Sequence, residues 1–217
     1  MPRANRRRGI PQVPPQDPDF SRALEAMTAP ELRAFVRGVL DELDPDARTA
    51  IVDALIARAA KGRAGWKPSR PAQRIVDDAT SFAEAARVVG YADPADVSEH
   101  LRLGGKAFFA GDHATARGVF EALLVPIAVA DIDLGEHELV DEVFTVDAHT
   151  CVAQYVTSVY TTTPVTQRAD AVLRAMEQVK GVSSLLNPIK EMEEVSAGTL
   201  PDLLHLLDRI QERADTL

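Results

Sequence analysis

The chain has 217 residues, of which 46% are hydrophobic and 26% are charged, so it can bury a core along most of its length. Its net charge of −9 makes it a poor match for nucleic acid, because phosphate contacts need clustered Lys and Arg. The single cysteine, Cys151, excludes an internal disulfide and any zinc site that needs two thiolates from this chain.

Residues 1–18 are predicted to form a disordered basic arm. They hold five of the 14 prolines, and the only charges before Asp17 are four arginines. We interpret the arm as a solubilising tail, with nucleic-acid association through these arginines as a third, weaker functional hypothesis. The arm lacks the apolar segment of a secretory signal, and no later run approaches the roughly 20 apolar residues of a membrane span. We therefore expect a cytoplasmic protein with no membrane partner.

Residues 19–61 predict an N-terminal helical hairpin. Thr28 with Glu31, three residues later, is the pattern of a capping box at a helix start. Apolar residues then recur at the 3-4 spacing of one helix face, at Leu32, Phe35, Val36, Val39, Leu40 and Leu43. Asp44-Pro45 ends this helix and begins the next, since proline is tolerated in a first helical turn.

Residues 62–70 combine glycine, proline and basic residues, which predicts a linker to a main domain over 71–217. The linker carries the only tryptophan, Trp66. We expect Trp66 to pack the linker onto the main domain, and the alternative is a contact with a partner.

The main domain is predicted to be helical throughout. Ser81 with Glu84 is a second capping-box pattern, and later helices are predicted to begin at Pro188 and just after Thr199. Residues 151–163 are rich in β-branched side chains, yet their apolar positions fall at helical spacing, which favours a helix. No strand pair or hairpin turn is indicated, so the predicted fold class is all-α.

Residues 101–124, "LRLGGKAFFAGDHATARGVFEALL", predict two helices joined by a tight turn at Gly111-Asp112. Small residues at helix contacts let two backbones approach closely. Gly104 precedes Ala116 across the turn, and we expect these two small residues to face each other. The segment therefore predicts a closely packed helical hairpin.

This hairpin resembles the tetratricopeptide unit. The matching residues are Leu103, Gly104, Gly111, Asp112, Ala116 and Phe120. His100 stands where tryptophan is common, and Ala107 stands where an aromatic residue is expected. The resemblance implies a right-handed, tetratricopeptide-like stack of helices that binds a protein partner. It does not imply a carboxylate clamp, because Leu101 and Gly105 replace the Lys and Asn of that binding mode.

A longer region, roughly residues 28–175, resembles the α-helical region that accompanies SWIM-type zinc fingers in bacterial proteins of unknown role. The resemblance rests on the order of "APELRAFVRGVL", the Gly-Asp hairpin, the acidic "DIDLGEHELVDEVF" and a helix with His-x-Cys. The zinc finger itself is absent from this sequence. The resemblance therefore implies a helical fold and carries over no role of the finger.

The acidic segment 131–142 invites comparison with a calcium-binding EF-hand loop. Asp131, Asp133 and Glu142 stand at loop positions 1, 3 and 12, but Glu136 occupies the position that requires glycine. We therefore favour a solvated acidic loop. The weak candidate metal ligands are Asp131, Asp133, Glu142 and His149. An alternative functional class is a metal-dependent or acid/base enzyme that uses these four residues with His137.

Cys151 follows His149 by two residues, so on a helix the two side chains point in different directions. We therefore interpret Cys151 as a small buried residue rather than a nucleophile.

The sequence contains none of the common phosphate-loop, dinucleotide, nucleophile-elbow or zinc-protease motifs, and no cofactor is predicted. The predicted function is that of a non-catalytic helical scaffold or adaptor, which binds a protein partner or another copy of itself. The predicted partner contacts are His100, Lys106, Phe108, Phe109, Glu136 and Glu138. Phe108 and Phe109 are neighbours on a helix and cannot both enter one core, so one of them is expected to be accessible.

Overall fold

The computed structural model describes residues 18–62, 66–68, 74–135, 143–196, 200, 206 and 208. This part of the chain is helical, with one isolated backbone bridge between Tyr91 and Asp133. The predicted all-α class is confirmed. None of the helices in these ranges combines the length and apolar character of a membrane span.

The helices, in chain order, are α1 (Pro18–Ala26), α2 (Ala29–Glu42), α3 (Pro45–Lys61), α4 (Ile75–Val89), α5 (Pro94–Phe109), α6 (His113–Ala128), α7 (Ala148–Thr162), α8 (Arg168–Val179) and α9 (Pro188–Val195). The chain divides into two compact units, residues 1–51 and residues 52–217. This division falls within α3. The predicted linker at 62–70 lies further along, and most of it lies outside the described residues.

Both ends of α2 are closed by side chains of unit 1. At its start, Thr28 and Glu31 form the predicted capping box, in which each side chain bonds the backbone of the other. At its end, the Arg48 guanidinium donates to the carbonyl oxygens of Leu40 at 2.7 Å and Asp41 at 3.1 Å. These bonds satisfy backbone groups that a helix end leaves without partners. Residues 29–42 are therefore a well-terminated helix.

The α5–α6 hairpin has the predicted tight turn. Gly111 adopts φ +80°, which favours glycine, and the Asp112 side chain accepts a bond from the Thr115 amide at 3.3 Å. Gly104 of α5 approaches α6 closely. It does so about one helical turn beyond Ala116, the residue that it was expected to face. A Cβ on Gly104 would lie 3.1 Å from side-chain atoms of both Val119 and Phe120.

The core of unit 2 is built around α7. Residues 151–160 are all buried, including the polar Gln154, Thr157 and Ser158. A helix that is covered on every side belongs at the centre of a bundle, and α7 packs against α5, α6, α8 and α9. The β-branched side chains of α7 are accommodated because packing overrides their weak helix propensity.

One predicted helix start is wrong. The Ser81–Glu84 pattern lies inside α4, which begins at Ile75. Both side chains are exposed there, so neither interrupts a helix whose buried face is formed by Ile75, Ala79, Ala83 and Ala86. The predicted start at Pro188 is confirmed, and the helix predicted after Thr199 lies mostly outside the described residues. The tetratricopeptide-like stacking stays a prediction.

Candidate functional site

The predicted contacts on α5 divide between the core and the surface. Phe108 is 4% exposed and packs edge-on against the rings of Phe109 and His113, so its ring is not available to a partner. Phe109 is partly buried against the same core. His100 stacks on Phe82 with ring centroids 4.8 Å apart. Of the four contacts predicted on α5, only Lys106 is fully exposed.

The predicted cation ligands are engaged with other groups. Asp131 forms an ion pair with Arg87 at 3.0 Å, and Asp133 accepts a hydrogen bond from the Gly135 amide. Glu136, His137, Glu138 and Glu142 lie outside the described residues. Within the ranges that the structure describes, no three His, Cys, Asp or Glu side chains are grouped to hold a metal ion.

His149 lies in a different place from the acidic loop, at the start of α7. Its Nδ1 is 2.9 Å from the Ser183 hydroxyl, and its Nε2 is 3.3 Å from Oε2 of Glu191 on α9. The second contact is a close approach without hydrogen-bond geometry. The other Glu191 oxygen accepts a bond from the Asn187 amide at 2.8 Å. His149 thereby joins α7 to α9 and to the segment before it.

A cavity of about 180 Å³ adjoins His149. It is lined by Lys61, His149, Thr150, Ala153, Glu191, Glu194 and Val195. Burial lowers the pKa of Lys61, and the nearby Glu194 carboxylate partly opposes that shift. A Ser-His-carboxylate series suits nucleophilic catalysis only when the hydroxyl faces the substrate. Ser183 is not among the lining residues, so this arrangement is better suited to joining helices than to catalysis.

Cys151 is buried, as predicted. Burial raises the pKa of its thiol to about 12, with the Asp147 carboxylate adding to the effect. The thiolate is the reactive form, so very little of this cysteine is nucleophilic at neutral pH.

The α2 helix of unit 1 presents an apolar face on which no residue is buried in the described structure. We define the α2 face as Leu32, Phe35, Val36, Val39, Leu40 and Leu43. None of the residues of α2 is buried, and Phe35 leaves 56% of its surface exposed. The apolar spacing predicted this face, but the burial of the face in an intrachain hairpin core is not observed.

Other large apolar residues are exposed in unit 2, and two of them, Val52 and Leu55, lie on the same face of α3 as Ile51. Val88 and Val89 end α4, and Leu186, which is 92% exposed, lies in the segment before α9. Isolated exposed apolar side chains are normal on protein surfaces. The α2 face differs from the shorter row on α3 because it contains six apolar residues, among them Phe35.

Comparison with models of protein families, with curated proteins and with solved structures gives no match to this chain. The resemblances to the tetratricopeptide unit and to the SWIM-associated helical region therefore stay predictions. The functional proposal therefore rests on the fold and on the exposed surfaces of the described residues.

Proposed function

We propose that this protein is a non-catalytic helical interaction protein, and that the α2 face is its docking surface. The observation that carries the proposal is a capped, 14-residue helix with a complete apolar row and no buried residue. Helices of this length are marginal in water, and most helical stability in proteins comes from packing an amphipathic face. A partner chain on the α2 face supplies that packing.

Covering this face would contribute favourable free energy to association. Burying a Val, Leu or Phe side chain fully contributes about 1.5–3 kcal/mol. Leu32 and Val39 leave between 37% and 39% of their surface exposed, and Phe35 leaves 56%, so each has about 1 kcal/mol still to gain. A few well-packed residues dominate the energy of many protein interfaces, and Phe35 is the aromatic member of this face.

The proposed docking surface lies on α2, whereas the sequence predicted partner contacts on α5. Phe108 serves the core, and Lys106 is exposed on unit 2. A cytoplasmic location and a protein partner remain part of the proposal, since the sequence favours both.

Photo-crosslinking from position 35 tests this function. With p-benzoylphenylalanine in place of Phe35, we expect crosslinks to another protein chain on irradiation in cells, because the ring lies at the centre of the covered face. The matched control carries the same group in place of Leu186, which is more exposed but lies outside any apolar row. Crosslinks between chains at position 186 but none at position 35 would contradict the proposal.

A further inference from the structure

We infer that the partner on the α2 face is a second copy of this chain, and that the two α2 helices pack side by side in the same direction. This inference rests on the proposed function of the α2 face. It names the occupant of that face and the orientation of the pair.

The apolar residues of unit 1 are poorly buried, which favours a second copy as the partner. In α2, the central helix of unit 1, no residue is buried, and unit 1 also exposes Leu24 on α1 and Ile51 on α3. Small domains bury a smaller share of the surface of their unfolded chain than large ones do, and the smallest usually need disulfides, a metal or oligomerisation. A second copy brings the same uncovered apolar surface, so pairing completes both units at once. In a two-fold dimer one patch serves both partners.

Charged side chains of opposite sign line the two edges of the α2 face, which also favours a second copy. Glu31 and Glu42 are separated by three helical turns, so they lie on the same edge. Arg33 and Arg37, four residues apart, lie on the opposite edge. All four side chains are exposed. The α2 face thus carries an acidic edge and a basic edge with the apolar row between them.

These edges select one orientation of a second copy. A two-fold axis parallel to α2 places the acidic edge of each copy against the basic edge of the other. An antiparallel pair would instead place acid against acid and base against base. Exposed ion pairs add little affinity, so the apolar row supplies the binding and the edges set the direction.

Sedimentation equilibrium of the full chain tests the inference. We expect wild-type protein to reach twice the 23.5 kDa chain mass as concentration rises. Phe35→Glu is expected to weaken the dimer at least tenfold, because it places a charge at the centre of the apolar row. The matched control, Leu186→Glu, adds the same charge at another exposed apolar site and is expected to dimerise like wild type.

A charge exchange tests the orientation. Arg33→Glu with Arg37→Glu makes both edges acidic, and Glu31→Gln with Glu42→Lys removes the acidic edge while keeping a glutamine for the capping box. In a parallel pair we expect each variant alone to dimerise more weakly than wild type, because like charges then meet at both edges. An antiparallel wild-type pair would already bring like charges together, so variants that dimerise as strongly as wild type would contradict the parallel orientation. A mixture of the two is expected to form a heterodimer in preference to either homodimer, as measured by native mass spectrometry.

Three results would overturn the inference. They are a wild-type monomer at every concentration, a dimer that persists in Phe35→Glu, and charge variants that do not prefer each other. If the protein is monomeric but position 35 crosslinks to a different protein, the second copy is excluded and the proposed function stands. If the protein is monomeric and position 35 gives no crosslink between chains, both are excluded.

Discussion

Replacing Gly181 by alanine is expected to destabilise unit 2 by about 3 kcal/mol or more, beyond the usual range for an added methyl group. A Cβ at this position would overlap the backbone carbonyl oxygen of Ala128 and would lie about 3 Å from its carbonyl carbon and Cα. Backbone atoms cannot rotate away as a side chain can. The turn after α8 must therefore shift away from the end of α6, and this shift would also disturb the contact between Ser183 and His149.

Thermal unfolding followed by circular dichroism measures this effect, and a loss of that size lowers the melting temperature by about 6–12 °C. Gly38→Ala is the matched control, because a Cβ on Gly38 meets nothing within 4 Å. Alanine there is expected to leave stability unchanged or to raise it by up to about 1 kcal/mol, through its better helix propensity. Equal melting temperatures for Gly181→Ala and wild type would show that Gly181 and Ala128 are not in contact.

Phe120→Ala is expected to cost about 3–5 kcal/mol of the free energy of unfolding, the range observed for aromatic residues removed from a core. Phe120 is fully buried, and its ring lies against the point where Gly104 of α5 approaches α6. Its removal leaves a cavity between the two helices of the hairpin. Urea unfolding measures the loss.

The same contact predicts a coupling between two substitutions. Gly104→Ala in the wild type adds a Cβ 3.1 Å from the Phe120 ring, which is tighter than ordinary packing, so we expect a cost of about 1–3 kcal/mol. In the Phe120→Ala background the added methyl enters the cavity, so the double variant is expected to lose less than the sum of the single variants. Strict additivity would show that Gly104 and Phe120 are not in contact.

Local features of the chain could be predicted from the sequence because their causes are local. The capping box at Thr28, the turn at Gly111 and the start of α9 at Pro188 each depend on a few neighbouring residues. The Ser81–Glu84 pattern gave a wrong helix start for the same reason. A serine followed by a glutamate can cap a helix, but it is also tolerated on the exposed side of one, and only the apolar spacing from Ile75 distinguishes the two cases.

The contacts of His149 could not be predicted, because Ser183 and Glu191 follow it by more than 30 residues. No spacing rule relates positions so far apart when the intervening chain folds into further helices. The sequence also could not show which of the two rings, Phe108 or Phe109, would be the more deeply buried. The sequence predicted that one ring would be less buried than the other, but the packing of Phe108 against His113 across the turn is seen only in the structure.

The apolar row of α2 could be predicted in full, but its partner could not. Apolar spacing shows that a face will be covered without showing which chain covers it. An intrachain hairpin was the simpler expectation. The exposure of Phe35 and the absence of any buried residue in α2 favour a second chain instead.

Amide hydrogen exchange of α2 across a range of protein concentrations tests the central claim most directly. We expect slow exchange over 29–42 when the dimer predominates and fast exchange after dilution, because an unpaired helix of this length is marginal. The buried amides of α7 are expected to exchange slowly throughout, and Phe35→Glu is expected to keep α2 fast at every concentration. Exchange in α2 that does not change with concentration would contradict the claim that a second copy covers this face.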